Sequence, residues 1–131
     1  MIRGIHFQNN PKAQVKLVRC TNGTVLDVVV DLRRDSQTFK KWLSVVLSKE
    51  NHKQIFIPNG FGHALLTLTD NSEILYKVDE FYEPVYDRAI QWNDPEIGIT
   101  WPITNPIVSK KDSDAPLLKD SDVNFTMRVN S

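Results

Sequence analysis

The chain has 131 residues, enough for one domain with a real core and too few for a second. Its 16 basic residues balance 16 acidic ones, which leaves no electrostatic footprint for nucleic acid or an anionic membrane surface. The longest apolar runs, such as Val25 to Val30, are strand-length and broken by Asp27, so the sequence offers no bilayer span.

No basic region followed by an apolar signal core stands at the N-terminus. Instead "RGIHFQ", residues 3 to 8, reads as a β-strand with His6 between two apolar residues. "VKLVRC" then runs into the turn "TNG", and "TVLDVVVDLR" follows with β-branched residues at most positions. Residues 15 to 33 therefore read as a hairpin about Asn22-Gly23. Cys20 lies in the first arm and reads as a core thiol; as the single cysteine it excludes an internal disulfide and fits a reducing cytoplasm.

"WLSVVLS" is β-branched and short, which predicts a strand rather than the amphipathic helix that the preceding lysines suggest. "KQIFIP" and "HALLTLT" flank "NGFG", a second glycine-bearing turn, and "EILYKVDEFY" makes the next extended run. From Glu83 onward prolines accumulate, and proline resists both helix and central strand, so this stretch is expected to wrap the domain as irregular structure. The polar end "DSDVNFTMRVNS" is expected to fray. Many short strands with little helix predict an all-β sandwich or jelly roll, a single domain over residues 1 to 131.

Polar residues on the inward faces of such a barrel are where chemistry would reside. The three histidines, His6, His52 and His63, form no His-x-His pair, and the set does not suit a metal centre. Neither a Gly-x-Ser-x-Gly elbow nor a glycine-rich phosphate loop is present. Acid-base chemistry remains, and it needs a base, an acid and a group that holds developing negative charge. His6 reads either as a packed ring or as a base held in one tautomer by a carboxylate. Lys16 shares a face with Val18 and Cys20, which fits first an edge residue pointing to water and second a buried cation with a task. Tyr76 in "ILYKV" is open in the same way.

"RGIHFQ", "KLVRC" with "G-x-V-x-D-V-x-V-D-L-R", "F-x-x-W", "IPNGFGHALL", "LYKVDEFYEP", "I-x-W-N-D-P-x-I-G-I-x-W-P" and "SKKDSDAPLL" follow one another in a single order. Together they resemble the dTDP-4-dehydrorhamnose 3,5-epimerase family, cupin-type jelly rolls that use no metal and no cofactor, over about residues 3 to 120. The resemblance implies epimerisation of a nucleotide-linked 4-keto-6-deoxy sugar, most simply toward dTDP-L-rhamnose. By match to the family's motifs, His6 is the base, Asp112 its carboxylate partner, Lys16 the stabiliser of the enolate oxygen and Tyr76 the acid on the opposite face. Substrate contacts implied in the same way are Arg3, Gln8, His63 and Tyr82, with Asp27 as a supporting carboxylate, while Asp31, Arg33 and Asp94 match positions of structural character.

Two departures stand out. The family carries a segment ahead of the first histidine motif that joins a dimer by strand exchange and supplies nucleotide contacts, whereas this chain starts almost on the motif. Leu65 also stands where the family often has an aromatic residue. An uncovered sheet edge favours a homodimer over a monomer. Rival readings are a single-centre epimerase, a 3,4-ketoisomerase acting on a related nucleotide sugar, or a non-catalytic subunit in polysaccharide synthesis. A cytoplasmic location is expected for any of them.

Overall fold

The computed structural model describes residues 1–127, and its strands build two facing antiparallel sheets. In chain order they are β1 (Ile2–Gln8), β2 (Lys16–Asn22), β3 (Thr24–Asp31), β4 (Trp42–Ser48), β5 (Gln54–Ile57), β6 (Phe61–Thr67), β7 (Glu73–Val78) and β8 (Asp87–Ala89). Five strands run in the order β4-β3-β6-β1-β8, and three in the order β5-β2-β7. This is the all-β jelly-roll architecture that the spacing of short strands predicts.

The hairpin expected over residues 15 to 33 does not form. Gly23 does turn the chain, with φ +74, but the turn carries it from the three-stranded sheet into the five-stranded one. β2 pairs with β5 and β7, whereas β3 pairs with β4 and β6. The physical reason lies in β3 itself, where Val25, Asp27, Val28, Val29 and Val30 are all buried. A strand apolar on both faces needs cover on both, and only a central position in a sandwich provides it. The same topology corrects the reading of Lys16 as an edge residue, because β2 is the middle strand of its sheet.

Two apolar layers result. Between the sheets lie Val18, Cys20, Val25, Val29, Leu47 and Ile57, so Cys20 is the core thiol expected. Behind the five-stranded sheet lie Ile5, Phe7, Val28, Val30, Leu32 and Ala64, covered by Ile90, Ile97, Leu118, Val123 and Phe125. The proline-rich segment thus forms the outer wall of this second layer, with β8, the short helix α1 (Lys110–Ser113) and a 3-10 turn over Leu118–Asp120 as its regular pieces.

The fraying expected of the last dozen residues is corrected in the part that the structure describes; residues 128–131 lie outside it. Val123 and Phe125 are 3 % exposed, and the Phe125 ring meets Phe7 edge-on at 5.6 Å between centroids. Burying each such side chain stabilises the fold by about 1.5–3 kcal/mol, which offsets the entropy lost where the tail is anchored. The polar residues between them are not idle: Asn9 Nδ2 donates to the Asp122 carbonyl at 3.2 Å, and Asn10 and Asn124 exchange hydrogen bonds of 2.9 and 3.0 Å.

The polar residues read as structural hold loops. Asp94 accepts from the backbone N–H groups of Leu118, Glu96 and Ile97 at 2.6, 2.7 and 3.2 Å. Asp31 accepts from the Arg33 guanidinium at 3.0 and 2.9 Å and from the hydroxyls of Ser36 and Thr38 at 2.6 and 2.5 Å. Among the described residues, no helix is long and apolar enough to cross a membrane.

Candidate active site

The site is built where the two sheets part. Its first determinant is a bulge in β1. Arg3 stands opposite Leu65 of β6, but His6 stands opposite His63, so one extra residue has been admitted between them on β1. Without it, Arg3 and His6, of opposite parity, would point to opposite faces; with it both share the face of Leu65 and His63. Gly4 makes the bulge possible. Its φ is +131, and a Cβ there would come within 2.6 Å of the Ala64 Cβ and 2.7 Å of the Ala64 Cα, so no side chain fits.

His6 Nε2 lies 2.6 Å from Asp112 Oδ1. The carboxylate is fixed from two further directions: its Oδ2 accepts from the Gly4 N–H at 3.1 Å, and the Asp112 N–H donates to Ser109 Oγ at 3.2 Å. Asp112 is buried at 4 % side-chain exposure while the imidazole is 37 % exposed. A proton on Nε2 facing the carboxylate leaves the lone pair on Nδ1, which is the arrangement of a base. On sequence alone Asp112 looks like a solvated loop charge; the short helix folds it beneath β1.

Lys16 and Tyr76 come from the facing sheet. Tyr76 pairs with Val18 on β2, and Lys16, two residues before Val18, occupies the same inner face. The Tyr76 ring meets the His63 ring edge-on at 6.3 Å. Burial pushes the Tyr76 hydroxyl up, with Arg3 drawing it down and Asp27 adding to the rise, so the phenol holds its proton. Burial pushes the Lys16 ammonium below the ordinary lysine value, opposed by attraction from Asp27 and Asp87. A cation in that condition is ready to share a proton with an oxygen that gains charge.

His63 and Asp27 form a second pair, Nε2 to Oδ2 at 2.8 Å, with 5 % and 0 % side-chain exposure. Asp27 is fully buried and meets the His63 ring rather than open space. The Gln8 amide donates to the carbonyls of Lys12 and Phe81 at 2.7 and 3.2 Å and accepts from the Glu83 N–H at 2.8 Å, which holds the loop after β7. Arg3 and Tyr82 remain exposed at the rim, Tyr82 at 63 %. Leu65 is 3 % exposed on the inner face.

Asp87 and Lys111 escaped the sequence reading. Asp87 stands opposite Gln8 on β8, and Lys111 Nζ meets Asp87 Oδ2 at 2.8 Å. A three-residue strand in a proline-rich stretch carries too little periodicity to signal such a position. A concavity of about 750 Å³, lined by Asn10, Arg33, Asn59 and Met127 among others, includes none of these site residues. Among the described residues no cluster of three or more histidine, cysteine or acidic side chains could hold a metal ion.

A base and a phenol on facing sheets, with a cation between acidic groups, suit removal of a proton beside a carbonyl and its return from the other side. The comparisons with known proteins agree in kind. The family model described as dTDP-4-dehydrorhamnose 3,5-epimerase matches residues 1–120. The enzyme of that name from Salmonella typhimurium is 50% identical over 119 residues, 90% of this chain and 65% of the relative. A crystal structure of the Bacillus anthracis enzyme with TDP and PPi bound superposes with a TM-score of 0.87 at 50% identity, covering 89% of this chain and 67% of that one. A dTDP-6-deoxy-D-glucose-3,5-epimerase from Legionella pneumophila, in complex with dTDP-4-keto-L-rhamnose, gives 0.92 at 37% identity, covering 98% and 69%. The chain thus spans about two thirds of the length of the relatives it matches.

Proposed function

The chain belongs to the dTDP-4-dehydrorhamnose 3,5-epimerase family, and from that premise we propose that it epimerises a dTDP-linked 4-keto-6-deoxy sugar. The observation that carries the reading is the placement of His6 and Tyr76 on opposing sheets around one cleft. The ketone at C4 acidifies the protons at C3 and C5. His6 Nδ1 takes one of them, and the imidazolium that forms is stabilised by Asp112 at 2.6 Å. The electron pair moves into the carbonyl, and the enolate oxygen gains charge. Lys16 supplies the positive field there, and its lowered pKa makes the ammonium a stronger proton donor to that oxygen.

Reprotonation by Tyr76 from the other face inverts the carbon; reprotonation by His6 restores it. Tyr76 gives up its proton to carbon and regains one from solvent, which its 45 % exposure allows, while His6, 37 % exposed at its side chain, releases to solvent the proton it took. Arg3 at the rim offers a guanidinium to the pyrophosphate, and the exposed Tyr82 ring offers a face to the sugar or base. No bond in this scheme needs a redox partner, because one proton leaves and one returns at each centre.

The test is incubation with dTDP-4-keto-6-deoxy-D-glucose in deuterated water, followed by NMR of the recovered sugar. Deuterium at C3 and C5 with inversion at both supports the 3,5-epimerase reading, and incorporation and inversion at one centre reduces it to a single epimerase. A 3-keto product replaces it with ketoisomerisation. A folded chain that exchanges no proton overturns the proposal and leaves a non-catalytic subunit.

A further inference from the structure

The loop between β7 and β8 carries Tyr82, and burial of its side chains does not fix it. Phe81, Tyr82 and Val85 are 84 %, 63 % and 73 % exposed. The main chain ties the two ends of the loop: the Asp79 N–H donates to the Val15 carbonyl at 3.3 Å, and the Asn9 N–H donates to the Tyr86 carbonyl at 2.9 Å. Between those ties the backbone is held by two side-chain amides. Gln14 Nε2 donates to the Glu80 carbonyl at 2.8 Å. Gln8 Nε2 donates to the next carbonyl, that of Phe81, at 3.2 Å, and Gln8 Oε1 accepts from the Glu83 N–H at 2.8 Å. Lys12 Nζ, 4.0 Å from Glu80 Oε1, is a looser tie.

Gln8 therefore brackets Tyr82, with one hydrogen bond to the residue before it and one to the residue after it. The amide is 3 % exposed, and its second N–H is spent on the Lys12 carbonyl at 2.7 Å, so both donors are engaged. It stands two residues after His6 on β1 and shares its face. From there it reaches across to the loop that leaves the facing sheet. One strand thus carries both the imidazole of the cleft and the amide that holds the aromatic loop at its rim. A loop held by a few hydrogen bonds and little apolar burial opens easily once they are removed.

We propose that Gln8, assisted by Gln14, is a positioning residue for substrate recognition: it pins the backbone on both sides of Tyr82 and so sets where that ring meets the nucleotide sugar. Gln8 acts through Tyr82 and does not touch the substrate. The inference rests on the epimerase reading for the ligand that Tyr82 meets. It does not rest on it for the clamp, which is a property of the chain alone. Loss of the clamp lets residues 80 to 83 sample other positions, and binding then bears the cost of ordering them. The proton transfers at His6 and Tyr76 are left intact, because neither side chain is held by the amides.

The experiment has two arms, both on the full chain. Without substrate, NMR follows amide hydrogen exchange at Glu83 in the native protein and in Gln8→Met. Loss of the Gln8 acceptor should speed that exchange by about tenfold or more, and an unchanged rate overturns the clamp. With dTDP-4-keto-6-deoxy-D-glucose, Gln8→Met should raise KM by about tenfold while kcat stays within about threefold of native, and Tyr82→Ala should do the same. The double variant should be no worse than the poorer single one, whereas independent effects multiply. A multiplied loss would mean that Gln8 touches the substrate itself, and a loss confined to kcat would mean that it acts on the base; either result overturns the proposal. If Gln8→Met does not fold, Gln14→Met decides: a smaller rise in KM that vanishes in the Tyr82→Ala background supports the clamp, and an unchanged KM overturns it. The amide arm needs no turnover, so its failure is separable from failure of the epimerase reading, which appears as absence of deuterium incorporation into the sugar by the native chain.

Discussion

His6 Nε2 and Asp112 Oδ1 are 2.6 Å apart although 106 positions separate them in the chain. The contact joins the first strand to a four-residue helix whose N-cap, Ser109, accepts from the N–H of Asp112 itself. The proline-rich segment is therefore more than packing for the back of the sheet; it delivers the carboxylate that orients the imidazole.

Replacing Asp112 with Asn keeps the shape and removes the charge. The amide also presents an N–H that favours the wrong ring tautomer, and the proposed base loses its lone pair on the substrate side. Steady-state assay of Asp112→Asn should give kcat lower by about 10²- to 10⁴-fold with the melting transition close to native. A native kcat in Asp112→Asn would separate the dyad from the chemistry.

The pH dependence of kcat should fall on its alkaline side below 10.5, the ordinary lysine value, because burial lowers the Lys16 pKa and the attraction of Asp27 and Asp87 restores only part of it. The sign follows from the working form. Charged Lys16 stabilises the enolate, so activity is present below its folded pKa and lost as pH rises through it. Tyr76, the proposed acid, gives a limb of the same sign, but burial moves its pKa up while it moves that of Lys16 down. Lys16→Met should abolish the limb together with most of the activity, and a limb that persists unchanged in Lys16→Met would assign it to another group.

Gly4→Ala tests the bulge. The added methyl meets Ala64 backbone and side chain at 2.7 and 2.6 Å on a residue with φ +131. Relief requires β1 to move, and β1 carries Arg3 and His6. Denaturant unfolding should show a loss of about 2 kcal/mol or more, with exchange activity lost even where the chain still folds. Native stability in Gly4→Ala would mean that β1 absorbs the methyl without cost.

Much of this architecture was legible in the sequence because short β-branched runs between turn residues allow few other folds. The strands at Ile2–Gln8, Trp42–Ser48 and Phe61–Thr67 fall where periodicity places them. The Asn22-Gly23 turn was visible, but its partners were not, because a tight turn can close a hairpin or carry the chain between sheets, and only the burial of β3 on both faces decides. Similarly, the resemblance singles out Gln8, yet its engagement with the carbonyls of Lys12 and Phe81 depends on loop conformations that carry no local signal. Val123 and Phe125 were hidden for the opposite reason: two apolar residues in a polar tail give no period, although both are buried. The grouping of His6, Asp112, Lys16 and Tyr76 came from motif resemblance, and the structure supplies what composition could not, the two facing sheets on which they stand.

Asp31 should mark the acid limb of stability. Burial raises its pKa, but hydrogen bonds from Arg33, Ser36 and Thr38 outweigh this and hold the carboxyl well below the ordinary value of 3.8. A depressed folded pKa stabilises the fold fully above the unfolded value and loses that contribution as pH falls through the folded one. Urea unfolding should therefore show Asp31→Asn less stable than native by about 2 kcal/mol at neutral pH, with the gap narrowing below pH 3.8. A gap that is constant with pH would assign the loss to packing.

The two-sided arrangement of His6 and Tyr76 is tested most directly by Tyr76→Phe, with deuterium incorporation and stereochemistry read on the same dTDP-4-keto-6-deoxy sugar sample. The account predicts that incorporation continues while inversion is lost, because His6 still removes the proton and, without a donor on the far side, returns a solvent-derived one to the face it came from. Inversion at the native rate in Tyr76→Phe would contradict it and place the acid elsewhere in the cleft.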